Sequence, residues 1–179
     1  MKQTRTTNMY QKVLPALKKE LGIENVMALP KVEKVVVNSG VGRAIKDEKL
    51  LDMIVRELTM ITGQKPVLTK AKQSIANFKT REGMVVGVKV TLRGSRMYDF
   101  ISRLVNIALP RTRDFRGLDQ RLIDAGGNLT IGIKEHIVFP EILTEDIRNI
   151  FGFEVTIVVK VRSKAQALAL YRALGFPIK

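Results

Sequence analysis

"VVGVKVTLRG", residues 85–94, decides the class of fold. Val86, Val88, Val90 and Leu92 fall on one side of an extended chain, and Gly87, Lys89, Thr91 and Arg93 on the other. Alternation with a period of two marks a strand with one face in a core and one face outside it. Two more stretches repeat it. "NLTIGIK", 128–134, opposes Leu129, Ile131 and Ile133 to Thr130, Gly132 and Lys134. "FEVTIVVKVR", 153–162, opposes Phe153, Val155, Ile157, Val159 and Val161 to Glu154, Thr156, Val158, Lys160 and Arg162. Parallel strands covered on both sides would be apolar throughout. The chain therefore reads as α+β, with a mainly antiparallel sheet covered by helices on one face and its other face open and basic.

The segments around these strands fit that plan. "KVEKVVVNSGVG", 31–42, is β-branched, ends in glycines and reads as another strand. Tyr10, Val13, Leu14, Leu17 and Leu21 have helical spacing, with Pro15 either kinking that helix or marking its start. Asp47 is placed to cap a second helix with Leu50, Leu51, Ile54, Leu58 and Ile61 on one face, stopped by Gly63. Ser95 opens a third, with Tyr98, Ile101, Leu104, Val105 and Ala108, expected to close before Pro110. A last helix runs from Ser163 to Gly175. No linker or repeat divides the sequence, so a single domain over 1–179 is expected, its parts of about 1–84 and 85–179 forming one unit.

Charge then asks what the open face meets. Lys and Arg total 31 against 17 Asp and Glu, a net charge of +14 and an isoelectric point near 10.2. Such a field favours a polyanion. Between Glu57 and Asp99 the only acid is Glu82, whereas Lys65, Lys70, Lys72, Lys79, Arg81, Lys89, Arg93 and Arg96 all fall there. Within that region the connection from the short strand 67–70 to the strand at 85 is longer than a hairpin needs. It places Ile75 and Phe78 among lysines. Folding back onto the sheet is one reading; a protruding finger with cations for phosphates and apolar tips for sugars or bases is the other. Aromatic residues are only 6%, which favours recognition of shape and backbone over base stacking.

Other chemistries find little purchase. The chain has no cysteine, which suits a reducing compartment, and one histidine, His136, whose neighbour Glu135 has no partner at metal-ligand spacing. The glycines of "VVVNSGVGRAI" imitate a dinucleotide loop, but position 45 is Ile where a third glycine belongs. No P-loop, cofactor site or metal site is expected, and no enzymatic activity. The sequence has neither an apolar run long enough to span a bilayer nor a secretory leader, so a cytoplasmic location is expected. The terminal helices have too few lysines beside their apolar stripes for a peripheral membrane anchor.

"VVVNSGVG" (35–42), "TGQKPVLTKAKQSIANFKTREGMVVGVKVTLRG" (62–94), "LPRTRDFRGL" (109–118) and "GNLTIGIKEHIVFPEI" (127–142) closely resemble the bacterial-type large-subunit ribosomal protein five family, the 5S-rRNA-binding family. The resemblance implies a structural ribosomal protein that binds 5S rRNA and helps attach it in the central protuberance. Carried over by position, it implies 5S contacts by Asn38, Ser39, Gln64 and Thr91, with Lys65, Lys89 and Arg93 supplying phosphate contacts around them. Asn38 and Thr91 also stand at polar strand positions on the alternation alone.

It further implies that Lys72, Gln73, Ser74, Ile75, Asn77, Phe78, Lys79 and Arg81 form a loop touching P-site tRNA. Partners would include large-subunit rRNA, neighbouring central-protuberance proteins and, across an intersubunit bridge, small-subunit protein thirteen. The bridge falls loosely within 111–117 and 140–148, and "RTRDFRG", 111–117, reads either as a second RNA-facing loop or as a turn pinned by Arg and Asp. No homo-oligomer is expected. "VVKVRSKAQALALY", 158–171, is more basic than the Thr-rich, acidic segment the family leads one to expect. A different class of function, a stand-alone RNA chaperone or regulator using the same basic face, fits the composition as well.

Overall fold

Helix α1 (Thr7–Leu21) leads into a 3-10 turn (Val26–Ala28) and strand β1 (Lys31–Gly40) of the computed structural model, which describes residues 7–42, 48–78, 80–113, 115–142 and 149–179. Helix α2 (Glu48–Thr62), strands β2 (Val67–Lys70) and β3 (Val85–Leu92), and helix α3 (Gly94–Arg103) follow. The chain ends with β4 (Leu129–Ile133), β5 (Phe153–Lys160) and α5 (Lys164–Ala173). The five strands form one mainly antiparallel sheet in the order β2-β3-β1-β5-β4, the α+β class that the alternation implies.

Burial follows the alternation. In β3 Val88, Val90 and Leu92 are buried while Lys89 is exposed; in β5 Phe153, Val155, Ile157 and Val159 are buried while Glu154 and Lys160 are exposed. β1 departs from strict period two, because its buried Val32 and Val35 are three apart, and regular alternation resumes only from Val35.

The chain divides into two compact units. One comprises Met1–Val35, Leu92–Ile131 and Thr156–Lys179, the other Val36–Thr91 and Gly132–Val155. In the first, Leu17, Met97, Phe100, Ile101, Leu170 and Tyr171 are fully or almost fully buried, and α1 packs against α5 and α3. Helix α5 closes with a Schellman turn: Phe176 N–H reaches Tyr171 O at 3.0 Å and Gly175 N–H reaches Arg172 O at 3.0 Å, with Gly175 at φ 85°. Tyr171 and Phe176 then meet edge to face at 5.6 Å, the apolar contact this motif favours. In the second unit Ile54, Leu58 and Ile61 of α2 are buried, as are Val37, Val88, Val90, Phe139 and Phe153.

Three expectations change in detail. Pro15 lies inside α1 rather than at its start. The third helix does not stop before Pro110: past Arg103 it widens into a π-turn (Leu104–Ala108), then a single turn α4 (Leu109–Arg111). Pro110 follows directly on the π-turn, in the first residues of α4, and the helical path runs through it. Asp47, expected as a cap, lies outside the described residues.

Candidate nucleic-acid interface

Three strands converge on Gly87. Thr69 of β2 pairs with Gly87 of β3, and the Val41 N–H just beyond β1 donates to Val86 O at 3.1 Å. A Cβ placed on Gly87 would lie 2.6 Å from Thr69 Oγ1, 3.3 Å from Ser39 O and 3.9 Å from Asn38 Oδ1. Only a residue without a side chain allows this close approach. Gly87 is itself buried: the Thr69 hydroxyl and Ser39 O fill the place of its missing side chain, so three strands close tightly there, with the amide of Asn38 at the edge of the contact. Asn38 is exposed, and Lys89, two residues along β3 and paired with Val67, is exposed as well.

Gln64 is brought to the same unit by the way α2 ends. Gly63, at φ 69°, donates to Thr59 O at 2.8 Å and turns the chain out of the helix. The buried Thr62 hydroxyl lies 2.6 Å from Leu58 O and 3.0 Å from Gln64 O, fixing the next backbone step. Gln64 Nε2 then donates to Thr91 O at 3.3 Å. Both residues are half-buried, and Lys65 beside them is exposed.

Two expected members of the set differ from the others in setting. Ser39 is 1% exposed and its hydroxyl donates to Gly152 O at 2.8 Å, so strand alternation turns it inward and leaves the exposed position to Asn38. Arg93 is exposed but belongs to the other compact unit, at the N-cap of α3. Nothing in the sequence singles out Thr69, because a four-residue strand shows too little alternation to assign a face.

The 71–84 connection has a fold of its own. Ala71 and Met84 close its neck, with Ala71 N–H on Met84 O at 2.8 Å and Gly83 N–H on Ala71 O at 3.0 Å. Farther out, Ile75 and Thr80 exchange backbone bonds of 3.1 and 3.2 Å around a 3-10 turn (Ala76–Phe78), and Ser74 Oγ accepts from Glu82 N–H at 3.0 Å. Lys72, Gln73, Ser74, Asn77 and Arg81 are exposed, and Ile75 is 44% exposed, which argues against its folding back onto the sheet. The Phe78 side chain and Lys79 lie outside the described residues. In the 111–117 stretch Arg111, Arg113 and Arg116 are exposed, and Leu118 after it pairs with Ile178. Of the 140–148 stretch, residues 143–148 lie outside the described residues.

The single histidine is structural. His136 is 1% exposed and stacks on Phe151 at 4.2 Å, and its Nδ1 accepts the Phe151 N–H at 3.3 Å. The ring proton therefore sits on Nε2, 3.1 Å from Glu57 Oε2, though out of line for a good hydrogen bond; that oxygen has no other partner. Burial pushes the imidazole's pKa down and the Glu57 carboxyl's up. Among the described residues no three His, Asp or Glu side chains gather in a way that could hold a metal ion.

Residues 25–81 match the family model of ribosomal protein L5, and residues 85–178 match the model of that family's C-terminus. The chain belongs to the ribosomal protein L5 family. It is 51% identical over 169 residues to the large ribosomal subunit protein uL5 of Dichelobacter nodosus, covering 94% of each chain. Against the protein of the same name from Mesoplasma florum it is 50% identical over 177 residues, covering 99% of this chain and 98% of the other. The Mycoplasma pneumoniae relative, again named large ribosomal subunit protein uL5, is 51% identical over 170 residues, covering 94% of each chain. As a member of this family the chain is a structural, non-enzymatic protein of the large ribosomal subunit, and its partners are ribosomal RNA and other ribosome components.

Proposed function

We propose that this ribosomal protein holds 5S rRNA through the polar surface around Gly87. The exposed amide of Asn38 carries the reading: the tight strand packing over Gly87 fixes it beside the half-buried Thr69 hydroxyl, where both can meet ribose or phosphate oxygens. Gln64, linked to Thr91, extends the polar surface, and the exposed Lys65 and Lys89 supply charge for phosphates. Held there, 5S rRNA would be attached to the central protuberance together with large-subunit rRNA and neighbouring proteins.

The 71–84 connection, with its exposed Lys72, Arg81 and Ile75, is the segment that would touch P-site tRNA. Its bonded neck suits a rigid projection better than a disordered tether. The stretches 111–117 and 140–148 are each left as candidates for the bridge to small-subunit protein thirteen.

Filter binding of purified protein to 5S rRNA tests the central claim. Asn38→Ala should weaken binding roughly 5- to 150-fold, the equivalent of about 1–3 kcal/mol for a buried polar group left without its partner. Equal affinity for 5S rRNA and unrelated structured RNAs would leave a general RNA chaperone as the better reading. An unchanged affinity in Asn38→Ala would remove the surface around Gly87 from the interface.

A further inference from the structure

The other compact unit holds a small groove whose chemistry the 5S reading does not use. Met27, Leu29, Lys31, Lys160, Arg162 and Gln166 line it, around a volume of about 270 Å³. Met27 is 86% exposed, more than any other large hydrophobic among the described residues. A thioether in water on a loose loop would carry no message, but this one is held. Asn25 Oδ1 accepts the Met27 N–H at 2.9 Å, the Ala28 N–H donates to Asn25 O at 3.0 Å, and the nearby Leu29 is 3% exposed. The 3-10 turn is thus capped at one end and anchored in the core at the other, and Met27 is presented outward.

The opposite wall is equally fixed. Arg162 N–H donates to Gln166 Oε1 at 3.0 Å, and Ser163 Oγ caps α5 by accepting the Gln166 N–H at 3.4 Å. Lys31 and Lys160 are exposed, as is Arg162. No acid follows Glu154 in the chain, whereas Lys160, Arg162, Lys164, Arg172 and Lys179 do. Lys164 is engaged elsewhere, its Nζ donating to Ile123 O at 2.8 Å.

Three cations beside an exposed thioether on a fixed backbone turn suit a ligand that is anionic and apolar at once. A free phosphate would leave Met27 in water, and an acidic peptide would leave it facing charge. A nucleotide satisfies both, because a polarizable thioether packs well against an aromatic ring and the phosphates on either side meet the cations. In a duplex the base faces are stacked on their neighbours and out of reach. We infer that this groove is a second RNA-binding site that takes an unpaired nucleotide, with its base against Met27 and its phosphates on Lys31, Lys160 and Arg162.

The test follows the Met27 methyl signal in full-length protein carrying 13C-methyl methionine, assigned with Met27→Leu, while a single-stranded oligoadenylate decamer is added. The signal should shift and saturate with the single strand, and respond at least severalfold more weakly to a duplex of equal length. Lys160→Ala with Arg162→Ala should lower the affinity read from Met27 about tenfold. It should also reduce the slope of log affinity against log salt by about 1.4, near 0.7 for each contact removed from a single strand. Asn38→Ala should leave the Met27 titration unchanged, which separates this site from the 5S surface. A Met27 signal that does not move, moves equally with duplex, or moves more strongly with polyglutamate overturns the inference.

Discussion

Whether a side chain in this sheet meets core or solvent turns on single positions, and Asn38 and Ser39 show how sharply. They are consecutive polar residues at the end of one strand, yet Ser39 is buried and bonded to Gly152 O while Asn38 is exposed. Period-two geometry assigns them to opposite faces, and the alternation in the sequence was enough to place Asn38. Gly87 was legible as a polar-face residue but not as the buried point where three strands close, because the atoms that crowd it come from two other strands. Gly87→Val should drive its side chain into Thr69 Oγ1 and Ser39 O and weaken 5S rRNA binding at least as much as Asn38→Ala. Circular dichroism would check that the fold is kept, and normal 5S binding by a folded Gly87→Val would show that the strand packing at Gly87 does not position the 5S contacts.

His136 makes a second prediction at this scale, through pH. Its folded-state pKa is pushed below the ordinary 6.5 by burial, so the unfolded chain takes up a proton that the folded chain resists. Stability is therefore present above pH 6.5 and lost as pH falls from there toward the lowered folded value. Glu57 runs the other way: burial raises its pKa above 4.5, so the folded state gains as pH falls through that raised value. The two oppose each other, and replacing His136 isolates its share. Urea midpoints measured between about pH 7.5 and 6 should fall in the wild type and fall less in His136→Gln. Equal slopes in the two proteins would exclude His136 as the source.

At the scale of elements, strands and helices were readable wherever one local pattern sufficed. β3, β4 and β5 follow their alternation, and α2 ends at Gly63 as its φ of 69° requires. What escaped the sequence was set by partners distant in the chain or by helical geometry short of a break. The passage through Pro110 depends on a π-turn that no spacing rule announces, and the 71–84 connection owes its neck to bonds across the loop. Ser74→Ala removes the acceptor for Glu82 N–H and should loosen that loop without touching the surface around Gly87. Faster amide exchange at Glu82 with unchanged 5S affinity is the expected pair of results. The close of α5 offers a stability test: Gly175→Ala puts a side chain at φ 85°, where the left-handed conformation costs roughly 1–2 kcal/mol. The nearest atom to the new methyl is Val105 Cγ1 at 3.6 Å, so strain rather than collision is measured. For a chain of this size the melting temperature should drop by roughly 2–4 °C per kcal/mol, and no drop would mean that the turn relaxes freely.

For the molecule as a whole, a net charge of +14 guarantees that any RNA will be attracted, so affinity alone is a poor witness to function. Charge and shape separate by their response to salt. Each cation that meets a phosphate releases counterions and adds about 0.7–0.9 to the slope of log affinity against log salt. A hydrogen bond from a neutral amide adds affinity without adding slope. If the Gly87 surface grips 5S rRNA as proposed, Lys65→Ala and Lys89→Ala should each flatten the salt dependence by nearly one unit while lowering affinity modestly at high salt. Asn38→Ala should shift the whole line down, parallel to the wild type. The loop lysines make the control: Lys72→Ala should leave both slope and height unchanged for 5S rRNA, because that segment is assigned to a different RNA. Parallel lines for the lysine variants would mean that their ammonium groups do not meet 5S phosphates, and that the attraction comes from the diffuse charge of the chain instead.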